Sequence, residues 1–327
     1  MDQQFIRDEI LRGRQSTAVL YWSGLLFAIM VAIGVVEYVE TDILVSAISL
    51  RQLHAFKAAG YANLFLAASS ILYFCDFAMP SKGIGKWASW VAGIGAAGAV
   101  LALFVRWVET YVLHHPGHLP LNVLYEAMAF FIAATVVSYL VMEHVYRSRA
   151  AGPFVMLIVL GAIGYQGWLA ATGQALEGIR IPVVRGYWIY AQVLGTFVGY
   201  GAFAVAAAMG TACLLRPGGS RTGVAGEFEG IGRFMHCAIL AGFPAFTFAA
   251  VLGALWMHDT GGGYRAWQAK EAWSFLAWCI YASYFYVRNM RHWRLYGMAW
   301  WSIVGFAGTM ACLLGAHLFG PGLHEYG

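Results

Sequence analysis

Repeated stretches of about 20 apolar residues, separated by short polar connections, constrain this chain more than any other feature. A helix of that length crosses a hydrocarbon layer of about 30 Å, and backbone amides inside lipid must find their partners within the segment. The runs are too long for the strands of a membrane barrel. The expected architecture is therefore all-α, a polytopic membrane helix bundle of about nine transmembrane helices. The windows fall near residues 17–38, 57–78, 87–110, 122–145, 153–172, 187–215, 234–257, 271–288 and 298–318. Charged residues make up 11% of the chain, against about a quarter in an ordinary soluble domain, which excludes that class. The first window is expected to remain as an anchor and not to be cleaved as a signal peptide. Asp2, Asp8 and Glu9 lie in its flank, and its apolar run is too long. Residues 1–55 then form an N-terminal anchor helix with its outer connection, and residues 56–327 the main membrane domain.

Basic residues set the expected orientation. Alternate connections collect Arg7, Arg12 and Arg14; Lys82 and Lys86; Arg147 and Arg149; Arg216, Arg221 and Arg233; and Arg288, Arg291 and Arg294, most of the 20 lysines and arginines. Such residues accumulate on the cytoplasmic side. The N-terminus is thus expected in the cytoplasm and the C-terminus outside it, in a multi-pass protein of a bacterial cytoplasmic (inner) membrane. The net charge of +4 follows from this bias; the partner it implies is the lipid bilayer, with no nucleic acid. Asp76, Lys57, Glu126 and Glu271 all fall near the ends of spans, whereas a carrier would bury such groups near mid-membrane.

Three features carry chemistry. The connection Trp256 to Glu271, WMHDTGGGYRAWQAKE, sets Tyr264 and Trp267 around a glycine run between two apolar spans. It is either an interfacial aromatic belt or a platform for a flat ligand. Histidines gather on the outer side, at His54, His114, His115, His118, His258, His317 and His324, and neutral imidazole is a common axial ligand of haem iron. The five cysteines, Cys75, Cys213, Cys237, Cys279 and Cys312, stand singly inside spans with no C-x-x-C or C-x-x-C-H, so they read as apolar packing residues. Any haem would be held without thioether bonds to this chain.

Position adds meaning when separated pieces are taken in order: RWVETYVLHHPGHLPLNVLYEAMAFF from Arg106, GFPAFTFAAVLGALW leading into GGYRAWQAKEAW, then IYASYFYVR, and finally GLHEYG. Over approximately residues 56–327 this order resembles the CcsA family of cytochrome c assembly proteins, known also as ResC. The resemblance implies a CcsA-like membrane domain whose external tryptophan-rich loop handles haem and presents it to apocytochrome c. It also implies a second membrane protein, CcsB or ResB, as partner. The family loop reads like WGxYWxWDPKE. This chain keeps Gly262, Tyr264, Trp267, Lys270 and Glu271 and has Arg265, Gln268 and Ala269 at the other positions. At the family's first external axial histidine stands Gln192, and at its intramembrane histidine stands Tyr286; the C-terminal histidine of GLHSY corresponds to His324.

Two functional readings follow. In the first, the protein binds haem b non-covalently against Trp267 and Tyr264. His324 then ligates the iron, His258 or His118 supplies the second ligand, and Arg265 and Lys270 pair with propionates. Glu126, about one helical turn into its span, either complements a helix N-terminus or serves the haem or client site. The protein would then be one component of a haem lyase, a cytochrome c synthase. In the second, the fold persists as a non-catalytic membrane subunit or scaffold of a respiratory or cytochrome-maturation complex.

Overall fold

The computed structural model describes residues 53–79, 83–113, 124–172, 188–215, 225–259, 269–289 and 294–318, and these form eight helices. They are α1 (Leu53–Ala78), α2 (Ile84–Leu113), α3 (Leu124–Tyr146), α4 (Gly152–Ala171), α5 (Trp188–Leu215), α6 (Ala225–Asp259), α7 (Ala269–Asn289) and α8 (Arg294–Leu318). Seven of the eight are long and apolar enough to cross a membrane. The remaining one, α7, is less apolar and carries Lys270, Glu271 and Arg288 towards its ends. The all-α, multi-pass architecture is therefore that of the sequence windows from 57 onward. The window at 17–38 lies outside the described residues.

Helices in contact reveal the direction of the chain. On α1 and α4, Asn63 meets Gln166 while Phe77 meets Phe154, so the pair is antiparallel. On α6 and α7, Thr247 meets Trp278 and His236 faces Tyr284; on α7 and α8, Ser274 meets Cys312 and Ser283 meets Trp301. Helices two apart run parallel, as Phe130 on α3 with Phe197 on α5 and Ala134 with Gly201 demonstrate. The bundle thus goes up and down without exception. One end, called here the first, gathers Leu53, Leu113, Leu124, Ala171, Trp188, Asp259, Ala269 and Leu318; the second gathers the opposite termini.

Small residues set how closely these helices approach. Lipid tails are as apolar as leucine, so helices in a bilayer associate through packing more than through water expulsion. The Gly195, Gly199 step lies against α6: a Cβ at Gly199 would stand 2.9 Å from the Phe246 Cβ, and one at Gly195 would stand 2.9 Å from the Ala245 carbonyl oxygen. Gly201 on the same helix turns to α3, where an added Cβ would meet the Ala134 backbone at 2.6 Å. Gly95 and Gly98 pack in the same way, against Leu66 and Ala62, whereas Gly93 has nothing within reach of an added Cβ.

Aromatic side chains fill the middle. Tyr281 is fully buried and stacks on Phe203 with ring centroids 3.6 Å apart, and Tyr284 and Tyr200 are buried as well. Cys312 is buried and linked to Tyr200 at 3.1 Å and to Ser274 at 2.9 Å, which ties α5, α7 and α8 together. It packs as expected of the cysteines, but with hydrogen bonds that make it more than a small hydrophobe.

The second end holds a carboxylate that the sequence did not single out. Glu143 lies one turn from the C-terminus of α3, where the helix dipole disfavours negative charge, and it is 7% exposed. Tyr73 on α1 donates to it at 2.6 Å, Ser89 on α2 bonds the other oxygen, and Arg149 Nε donates at 2.9 Å. Arg149 reaches back because the chain turns immediately after α3, with Arg147 in the left-handed region at φ 51°. Glu143→Ala should destabilise the bundle by about 1.5–3 kcal/mol, the magnitude of hydrogen bonds to a charged group. Half-exposed Arg149 keeps its own hydration and adds little. Thermal unfolding in detergent, followed by circular dichroism, measures this, and an unchanged midpoint would mean that water already satisfies the site.

Candidate functional site

At the first end, five helices bring polar and aromatic side chains together. Arg106 on α2 donates through Nε to Glu126 on α3 at 2.7 Å, with side chains 17% and 6% exposed. The guanidinium also lies over the Phe56 ring of α1, 5.6 Å from its centroid. Phe56 in turn packs on Tyr125 with centroids 4.9 Å apart. Beneath this layer, Asn63 donates to Gln166 at 2.9 Å, and Gln166 donates to the Tyr125 carbonyl at 3.2 Å. Beside it, Trp107 approaches Tyr190 of α5 at 6.4 Å. A buried amide pair and a buried ion pair under an aromatic cover make a rigid, polar floor, since each group is costly to leave unmatched in a low-dielectric medium.

Local sequence explains the arrangement. Glu126 is in the first turn of α3, where negative charge complements the exposed amides, and Arg106 stands about two turns before the end of α2. With α2 and α3 antiparallel, these positions fall level. Of the two roles expected for Glu126, the ion pair adds a specific partner to the favourable helix-end location.

The other candidates separate into two groups. His258 lies in the last turn of α6 and Lys270 in the first turn of α7, both at the first end. His118, Tyr264, Arg265, Trp267 and His324 lie outside the described residues. Yet the helix ends that precede and follow residues 260–268, Asp259 and Ala269, both belong to the first end, as does Leu318, after which the C-terminal segment with His324 follows. Among the described residues no group of three or more His, Cys, Asp or Glu could hold a metal ion.

The two positions of altered ligand type are described. Gln192 lies near the start of α5 and crosses to α6, where its amide nitrogen would be 2.7 Å from a Cβ added to Gly253. Tyr286 is 69% exposed and points away from the bundle interior. The described residues at the first end therefore place aromatic rings over a paired arginine and carboxylate. They supply no imidazole at either family position.

Comparison with known proteins decides the family. Residues 121–324, more than half of the chain, match the family described as Cytochrome C assembly protein. The chain belongs to that family. Its similarity to cytochrome c assembly proteins extends to a cytochrome c biogenesis protein CcsA of Prochlorococcus marinus, 26% identical over 253 residues, covering 69% of this chain and 79% of that one. CcsA of Microcystis aeruginosa is 24% identical over 322 residues, covering 81% of this chain and 94% of that protein. CcsA of Synechococcus elongatus is 25% identical, covering 80% and 94%. This cytochrome c assembly protein is thus a divergent CcsA family member and a multi-pass membrane protein of cytochrome c biogenesis.

Sequence inspection missed Phe56, Asn63, Gln166 and Glu143. A signal existed for two of them: an amide inside an otherwise apolar span seeks a partner in a neighbouring helix. Asn63 and Gln166 are such amides, but which two helices meet cannot be read from spacing alone.

Proposed function

We propose that this protein binds haem b non-covalently at the extracytoplasmic face and presents it to apocytochrome c, working with a CcsB/ResB-like membrane partner. The observation that supports the reading most is the up-and-down order of the helices. It gives Asp259, Ala269 and Leu318 the same end as the Arg106 and Glu126 pair. The segments bearing Tyr264, Trp267 and His324 then depart from one end of the bundle. Membership of the cytochrome c assembly family supports the assignment to this process.

In this reading the basic residues at the second end hold it in the cytoplasm, and the first end faces outward across the inner membrane. Residues 56–327 form the working domain and residues 1–55 an anchor, for about nine spans in all. Haem is the cargo, and its vinyl carbons are where client cysteine thiols add to form thioethers. Tyr264 and Trp267 offer ring faces, and His324 with His258 or His118 offers imidazoles. Arg265 and Lys270 offer cations to the propionates. The rigid floor of Arg106, Glu126 and Gln166 fixes the ends of α2, α3 and α4 on which such a surface rests. The protein accelerates ligation by holding cargo and client together, turning a bimolecular encounter into a local one.

A non-catalytic scaffold remains the second reading, and Tyr286 favours it, since its exposed side chain turns from any site inside the bundle. The experiment that separates them co-produces this protein with client and partner in a host lacking its own maturation system. Covalent haem on the client is then measured by haem-stained gel. Trp267→Ala together with Tyr264→Ala should cut holocytochrome at least about tenfold, equivalent to about 1.4 kcal/mol of lost positioning. Undiminished holocytochrome at equal protein level would select the scaffold.

A further inference from the structure

The outer face between α2 and α3 carries a groove of about 630 Å³, lined among others by Gly93, Ala97, Leu101, Phe104, Val137 and Val141. Its walls are apolar and exposed, and Gly93 at its base has no neighbour within reach of an added Cβ. We propose that this groove seats the chain's own apolar stretch 17–38, running beside α2 in the same direction.

Connectivity brings that stretch to the groove. The described chain begins at Leu53, at the first end, and Phe56 lies under Arg106 of α2, so α1 starts alongside the helix that forms one wall. Residues 39–52 could span roughly 45 Å if extended, and a helix with its side chains is only about 10 Å across. The connection therefore reaches round α2 with length to spare. A stretch that crosses the membrane before this connection must end at the first end, which fixes its direction as that of α2.

The side chains match in that orientation. Gly24, Ala28 and Ala32 are spaced four apart in the sequence, the spacing that lines small residues along one side of a helix. The groove presents its own steps of this kind, Gly93 followed by Ala97, so the two backbones can approach closely. Depth agrees independently of the stripe. The spacing from Tyr21 to Tyr38 equals that from Trp90 to Trp107, and Trp90 is strongly exposed on the face of α2 away from the core. Aromatic residues at both ends of the stretch then lie level with those of α2, at the depths where a bilayer favours them.

Disulfide trapping in the full-length protein tests this. In a variant with its native cysteines replaced and a protease site placed within 39–52, pairs Gly24→Cys with Gly93→Cys and Ala28→Cys with Ala97→Cys are oxidised with copper phenanthroline in membranes. Most chains should stay whole after cleavage without reductant, roughly tenfold above a control pair of Ala28→Cys with exposed Phe248→Cys on α6. A yield equal to the control overturns the proposal. So does cross-linking only between two differently tagged copies, which would make the groove a contact for a second chain. Should the cysteine-free variant fail to fold, a photoreactive phenylalanine at Val100 in the otherwise native chain gives the same readout. Its capture of the 1–52 fragment is expected, and capture of lipid or another chain alone contradicts it.

Discussion

Arg106→Ala should destabilise the bundle by about 3–5 kcal/mol, the usual consequence of removing one partner from a buried ion pair. The partner left behind is the buried one: Glu126 is 6% exposed, and partly buried Arg106, 17% exposed, stands 2.7 Å from it. Truncation removes the guanidinium from Glu126 and from the Phe56 ring. Arg106→Lys keeps the charge but loses the planar fork, so a smaller loss is expected. The double change Arg106→Leu with Glu126→Leu should recover most of the stability, because replacing both charges removes the desolvation penalty along with the attraction. Unfolding in detergent with increasing denaturing surfactant, followed by tryptophan fluorescence, measures all three. A loss under about 1 kcal/mol for Arg106→Ala would mean that the pair behaves as a solvated surface bridge.

His324→Ala should lower haem occupancy of the purified protein about 100-fold or more. Even groups that merely orient a metal ligand alter affinity about 10–100-fold, and His324 is proposed to touch the iron itself. Among the chain's residues at family ligand positions it is the one that keeps an imidazole, since Gln192 and Tyr286 occupy the others. Glutamine is a poor iron ligand and neutral tyrosine a weak one, so no neighbouring family position can compensate. The restoring change Gln192→His with Gln268→Asp should raise occupancy; Gly253 opposite Gln192 leaves room for a ring there. Haem content per protein, read as pyridine haemochrome, measures both variants. Equal occupancy in His324→Ala and the parent protein would remove His324 from the site.

The helices were legible because lipid imposes so simple a rule: about 20 apolar residues, repeatedly, leave few alternatives. Membrane windows from 57 onward match α1 to α8 within a few residues, except that α6 starts at Ala225, before the window at 234. There the helix continues through Glu227, Glu229 and Arg233, which no apolar window could include. Partnerships were much less legible. Glu126 could be recognised as a helix-start carboxylate, but its Arg106 partner depends on α2 and α3 being antiparallel and in register. Glu143 looked like an ordinary polar residue near a helix end, and only the convergence of Tyr73, Ser89 and Arg149 reveals it as buried. Tyr200, Tyr281 and Tyr284 are buried packing residues, since long buried helices leave aromatic rings few other places.

The absorption spectrum of the protein isolated from haem-replete cells together with its partners tests the central claim most directly. A Soret band that shifts on reduction, with sharp visible bands of a six-coordinate haem, is the predicted result. Protein that is folded, complexed and free of haem under those conditions would contradict it.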